Sequence, residues 1–298
     1  MHGVSFGIKT SQSGISYADI LRVWREADTV DVFADAWLWD HMVPLRGPVD
    51  GAALEGWTLL AALAAQTSRL RLGVIVTSNR LRPPAVLAKM AATVDVISGG
   101  RLNFGIGAGG SAVSDPNGLA MVRREFDAYG IDIVSPRIAV DALAEACVLA
   151  KRMWTETQPF DFTGEHYRLT GAVCAPKPVQ QPHPPIMIGS GGERFGLRVV
   201  AEHADVWNCP ILGGNTAELR TKSAILDEHC AAIGRDPDEI TRSVQLIVRG
   251  TDPAPTRDAV LELIDAGARH LVLAPVAPLP SVRRLADEIV EPVLAQLG

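Results

Sequence analysis

Between Arg69 and Gly110 the chain reads RLRLGVIVTSNRLRPPAVLAKMAATVDVISGGRLNFGIGAGG, and this block narrows the possible folds more than any other stretch. Leu70, Leu72, Val74 and Val76 alternate with their neighbours at period two, the spacing of a strand. Pro83 and Pro84 suit a helix start, because the first amides of a helix have no internal acceptor. Val86, Met90, Val94 and Ile97 recur at helical spacing and predict one apolar stripe. Ser98-Gly99-Gly100 ends that helix, and Leu102, Phe104 and Ile106 begin a second strand. A strand, a crossover helix and a parallel strand within about forty residues make a βαβ unit.

The same alternation runs along the whole chain. Strands are expected at Val4–Ile8, Val32–Trp39, Pro185–Gly189, Asp205–Asn208, Ser243–Arg249 and Arg269–Ala274. Helices are expected at Tyr17–Thr29, Trp57–Gln66, Glu193–His203, Thr216–Ile233, Thr256–Ala266 and Ser281–Leu297. Residues 111–184 interrupt the pattern with an irregular piece, a short helix at Leu119–Tyr129, a longer one at Arg137–Trp154, and the proline-dense run Pro176–Pro185, read as an extended loop. Eight strand–helix pairs predict an α/β fold, a (β/α)8 TIM barrel with an insertion after strand four at about 111–184, the whole of 1–298 forming one domain. A doubly wound sheet is the alternative, but no dinucleotide fingerprint opens the chain.

Charge and cysteine content bound the function. The formal net charge of −6 argues against nucleic acid and against an anionic membrane surface. No apolar run is long enough to span a bilayer, and the N-terminus lacks a signal-peptide pattern. Cys147, Cys174, Cys209 and Cys230 are scattered without metal-like spacing and read as reduced thiols of a cytoplasmic protein, with Cys209 alternatively touching a ligand. No histidine cluster has metal-ligand spacing, so no metal is expected.

In such a barrel the active site lies where strands end. The exits carry Lys9 and Thr10, Asp40 and His41, Thr77 to Asn79, Gly107 to Gly110, Ser190 to Gly192, Asn208 and Cys209, and Arg249. Asp40-His41 is the acid–histidine pair among them, and a histidine there can give or take a proton near neutral pH; equally, Asp40 caps the next segment and His41 packs. Ser190-Gly191-Gly192-Glu193-Arg194 lets backbone amides approach a phosphate at a helix N-terminus, or serves only as a glycine turn, with Arg194 either reinforcing the anion site or solvated. Gly105 to Gly110 satisfies G-x-G-x-x-G, but no helix follows at once; a flat backbone wall against a cofactor is the reading preferred. His203, His229 and His270 are assigned to helices or their ends, and His166 to the insertion.

These residues together resemble the luciferase-like monooxygenase family, in the subgroup that uses the deazaflavin coenzyme F420. The resemblance rests on FADAWLWDH, the 69–110 block, REFDAYGID, WTETQPFDFTGEHYRLTGAVCAPKPVQQPHPPIMIGSGG and AEHADVWN in that order, and covers nearly the whole chain. It implies that Asp40 meets the polar edge of the ring, that His41 stands where relatives place a proton donor, and that Ile75-Val76 forms a bulge with a non-prolyl cis peptide behind the ring. It also implies that Ser78 approaches the ring or its ribityl chain, that Ala108 and Gly109 line the cofactor, and that Gly191 and Gly192 hold its phosphate; Gly107, Ser190 and Arg194, from the same strand exits, complete the expected cofactor-binding set. Sugar-phosphate dehydrogenases of the family carry a glutamate where this chain has Gly110 and a tryptophan where it has Leu45, so glucose 6-phosphate is not expected as substrate. The implied activity is hydride transfer between F420 and a small organic substrate, in a homo-oligomer. FMN-dependent two-component oxygenation and non-catalytic flavin or deazaflavin binding are the alternatives.

Overall fold

The computed structural model describes all residues except 1, 2, 46, 47, 49, 110–115, 212–214 and 277–280. Its strands are β1 Ser5–Lys9, β2 Phe33–Leu38, β3 Arg71–Val74, β4 Thr77–Ser78, β5 Leu102–Gly107, β6 Phe160–Thr163, β7 Arg168–Ala172, β8 Ile186–Gly189, β9 Val206–Cys209, β10 Thr241–Val248 and β11 His270–Pro275. Its helices are α1 Tyr17–Asp28, α2 Gly56–Ala64, α3 Pro84–Ser98, α4 Pro116–Ala128, α5 Pro136–Thr155, α6 Gly196–His203, α7 Thr216–Ala232, α8 Ala254–Asp265, α9 Val282–Leu285 and α10 Glu291–Leu297, the last two joined by a π-helical turn. Eight parallel strands run β3-β2-β1-β11-β10-β9-β8-β5, and β3 pairs back onto β5, so the sheet closes on itself. The fold is the expected (β/α)8 barrel.

Two apolar cores result. The larger lies between barrel and helices. The smaller lies inside the barrel and consists of Trp37, Ile75, Met187 and Val272, with Val76 and Val206 against it. Trp37 fits because a neighbouring strand is bare: a Cβ on Gly73 would stand 2.6 Å from the indole. Across the barrel floor, arginines next to the strand starts donate to carbonyls at the helix ends. Arg69 reaches Ala27, Asp28, Val30 and Phe33, and Arg101 reaches Ala64, Thr67, Leu70 and Ser98. Arg235 reaches Ala201 and Ala204, and Arg269 reaches Ile264 and Ala268. Most of these carbonyls lie in or just past the last turn of a helix, and the rigid guanidinium fork suits several at once.

Several expectations are corrected. Val86 and Ile97 of the anticipated α3 stripe are exposed, while Leu87, Ala88, Ala91, Ala92, Val94 and Asp95 are buried. The helix packs Leu87, Val94 and its alanines, because α2 and α5 both press on it. Within 111–184, α5 is a barrel helix packed on α3 and α6; the extra material between β5 and β8 is α4 and an antiparallel hairpin, β6–β7, that the sequence reading left out. The helix expected from Glu193 starts only at Gly196, after a turn over 193–195. His270 opens β11 and lies inside the barrel, not on a helix. All four cysteines are free and buried; Cys209 belongs to the outer core, and burial pushes its thiol up to about 12, so it is not a ligand-facing nucleophile.

Candidate active site

The exits of β2, β3–β4, β5 and β8 adjoin one another at the open rim. The Ile75–Val76 peptide is cis. Val76 does not continue the Leu72–Val74 face but joins the inner cluster. Its side chain lies between bare strands: a Cβ would stand 3.0 Å from it at Gly107 and 2.7 Å at Gly189. The glycine-rich end of β5 is therefore not an empty wall. Gly107, expected to line a cofactor, has Val76 packed against it. Gly109 has φ +81, which favours glycine, and a Cβ there would stand 2.6 Å from Ser78 Oγ, so Ser78 and Gly109 are in contact at the rim. Ala108 is half-buried against the core. Gly110 lies outside the described residues.

Asp40 is sealed rather than open. Arg82 donates to both its oxygens at 2.7 and 3.0 Å and also pairs with Glu55, while the Asp40 side chain is 0% exposed. Burial pushes the Asp40 carboxyl up from its ordinary value, opposed by the Arg82 hydrogen bonds. Its first task is to anchor the β2 exit to α2, whose N-terminal amides Glu55 accepts. Asp40, expected to meet the edge of a ring, pairs here with Arg82.

His41 has a partner that sequence reasoning missed. Glu125, buried on α4 beside Val122 and Phe126, stands 3.0 Å from His41 Nδ1 and also accepts the Met42 amide. A carboxylate only accepts, so Nδ1 carries the hydrogen and Nε2 is left as the free nitrogen. Trp39 lies edge-on to the imidazole with ring centroids 5.6 Å apart. A carboxylate on the apolar face of a predicted helix was the available signal. Asn79 at the β4 exit donates to Tyr167 of the hairpin at 3.0 Å, which ties that hairpin to the rim.

At β8 the Ser190 carbonyl accepts from Trp207 and the Gly191 carbonyl from Lys222, both at the outer side of the loop. The amides of Gly191 and Gly192 meet no acceptor among the described residues. The Leu197 amide is taken by the Gly192 carbonyl, so the start of α6 offers less to an anion than expected. Arg194 is not brought to this loop's inner side. Its guanidinium lies 4.9 Å from the Phe195 ring centroid, in a surface recess of about 420 Å³ that also includes His229 and Ile233. Trp39 Nε1 and Asn79 Oδ1 are buried polar atoms without a partner among the described residues. Two unpartnered amides and two unpartnered polar atoms near one rim suit a polar, anionic-tailed cofactor.

The sequence model of the luciferase-like monooxygenase family matches residues 3–288. An F420-dependent glucose-6-phosphate dehydrogenase of Kineococcus radiotolerans is 33% identical over 212 residues, 70% of this chain and 58% of that protein. A phthiodiolone/phenolphthiodiolone dimycocerosates ketoreductase of Mycobacterium sp. (strain JLS) is 31% identical over 72% of this chain and 52% of that protein. The chain therefore spans little more than half the length of these relatives. Among solved structures, an F420-dependent secondary alcohol dehydrogenase in complex with an F420–acetone adduct superposes with a TM-score of 0.82 at 18% identity, covering 99% of both chains. Long-chain alkane monooxygenase superposes with a TM-score of 0.76 at 12% identity, covering 98% of this chain and 91% of that one.

Proposed function

We propose, since the chain belongs to the luciferase-like monooxygenase family, that it is an oxidoreductase transferring hydride between coenzyme F420 and a small alcohol or carbonyl compound. The observation that carries this reading is the His41–Glu125 pair at the same rim as the unpartnered Gly191 and Gly192 amides. The relatives named as dehydrogenase and ketoreductase support it, because both activities interconvert an alcohol and a carbonyl. Gly191 and Gly192 would hold the phosphate by their amides, and Ser78, Ala108, Gly109, Trp39 and Asn79 would surround the ring and ribityl chain. F420, when bound, supplies two-electron hydride chemistry.

The chain's own residues do the rest. Glu125 holds the imidazole so that His41 Nε2 faces the reactant. His41 Nε2 takes the hydroxyl proton during alcohol oxidation and returns it to the carbonyl oxygen during reduction. The inner core of Trp37, Ile75, Met187 and Val272 closes the barrel below the rim and excludes water from that side. Titrating the purified protein separately with F420 and with FMN under anaerobic conditions tests this reading. Binding of F420 followed by its reduction with a member of an alcohol panel is the expected result. Tight binding of FMN alone overturns it.

A further inference from the structure

Inside the barrel a continuous line of hydrogen bonds connects an acid near the floor to a lysine at the rim. Lys9 Nζ donates to Gln245 Oε1 at 2.7 Å, and Gln245 Nε2 donates to Asn208 Oδ1 at 2.8 Å. Asn208 Nδ2 donates to Ser243 Oγ at 3.1 Å, and Ser243 lies 2.8 Å from His270 Nδ1. His270 Nε2 lies 3.1 Å from Asp35 Oδ1, and Asp35 also accepts from Trp37.

The polarity of this line is forced from both ends. An ammonium only donates and a carboxylate only accepts. Gln245 must therefore turn its oxygen to Lys9, Asn208 must turn its oxygen to Gln245, and His270 must turn its Nε2 hydrogen to Asp35. Ser243 accepts from Asn208 and donates to Nδ1. Every dipole points the same way, and aligned bonds strengthen one another. Gly7 makes room for the lower end, since a Cβ there would stand 1.9 Å from Asp35 Oδ1.

Lys9 is the anomaly of this line. Among the described residues it has no carboxylate within ion-pair distance, and Gln245 is its acceptor. Its neighbours on β9 and β10 are the neutral Asn208, Ser243 and Gln245, and the charged or titratable groups on β2 and β11 are Asp35 and His270, at the far end of the line. Burial brings its amine down to about 8. The residue as a whole keeps some accessible surface at the end of β1, beside the barrel mouth. A lysine satisfied on one side, with two N–H bonds left and no counter-charge, is a preorganised donor for a negative or strongly polarised oxygen.

We propose that the Lys9 ammonium is an oxyanion-binding group of the barrel mouth, receiving a carboxylate, enolate or carbonyl oxygen of the bound reactant. The inference rests on reading the mouth as the active site but does not require that F420 be the cofactor. The oxygen comes either from the substrate or from a carbonyl of the cofactor ring, and the Gln245–Asn208–Ser243–His270–Asp35 line fixes where it sits. Lys9 is a charge-stabilising group here, and the proton stays with His41.

The test follows Lys9 directly. The full-length protein is labelled with ¹³C,¹⁵N-lysine, which leaves all three N–H bonds of the ammonium in place, and the lysine Cε and Nζ signals are followed against pH. Lys9→Met assigns the signal, and Lys9→Arg serves the same purpose if the methionine variant does not fold. The free protein should show a Lys9 midpoint near 8. Sodium acetate should raise it by about one unit relative to chloride at equal ionic strength, which identifies a site for a substrate oxygen. A rise produced by F420 and not by acetate identifies the ring oxygen as the occupant. Ser243→Ala, which interrupts the line, should reduce either response. A midpoint that neither acetate nor F420 moves overturns the proposal. Absorbance titration reports separately whether F420 binds at all, so a failed cofactor reading leaves the acetate arm intact.

Discussion

At the scale of single residues, the His41–Glu125 contact makes the sharpest claim. If Glu125 alone fixes the imidazole tautomer, Glu125→Leu should convert a ring with hydrogen on Nδ1 into a mixture of tautomers, visible in the ¹⁵N shifts of His41. Turnover should fall on the order of 10²-fold, since general acid–base help is worth at least that. Asp40→Asn is expected to act differently. It leaves Arg82 partly unpaired in a buried site and should cost about 3 kcal/mol in urea unfolding. His203 supplies a pH prediction. Burial, helped by Lys151, lowers it from 6.5 to about 4, so the unfolded chain binds more protons between those values. Stability should therefore decline as pH falls from 6.5 through 4. In His203→Gln the pH dependence of the urea midpoint should flatten by about one proton over that window.

At the scale of elements, the turn of the β6–β7 hairpin is held by an acid of α5. Glu145 of α5 accepts the amides of Glu165, His166 and Tyr167. Glu145→Ala should strip those amides of their acceptor, cost about 2 kcal/mol, and raise their hydrogen-exchange rates well above those of α5. Because Tyr167 bonds Asn79, the loosening should reach the rim. The hairpin also marks where sequence reading stopped. Its strands are short and mostly exposed, so no period-two apolar pattern betrays them. The α9–α10 segment was legible because Val282, Leu285, Ile289 and Val293 all face one core. The α3 stripe was not, because neighbours on two sides bury Leu87, Val94 and the alanines and leave Val86 and Ile97 exposed. At the site, strand exits were readable from the βα alternation alone, including Lys9 and His41. Glu125, Arg82 and Glu55 were not, because their roles arise from elements far apart in sequence. Arg194, left open between an anion site and solvent, lies exposed on the turn over 193–195 that precedes α6.

At the scale of the whole molecule, stability and chemistry occupy opposite ends. The floor is closed by arginines, each bonding several helix-terminal carbonyls at once. Arg101→Lys keeps the charge but loses the fork, and it should lower the unfolding free energy by about 2–3 kcal/mol. F420 affinity should be unchanged in the same variant, which an absorbance titration checks. Guanidinium groups hold their protons far into alkaline solution. Acidity can therefore be tuned at the rim, through Lys9, while these clasps stay charged beneath it. The protein has a base plate indifferent to alkali and a working surface that responds to it.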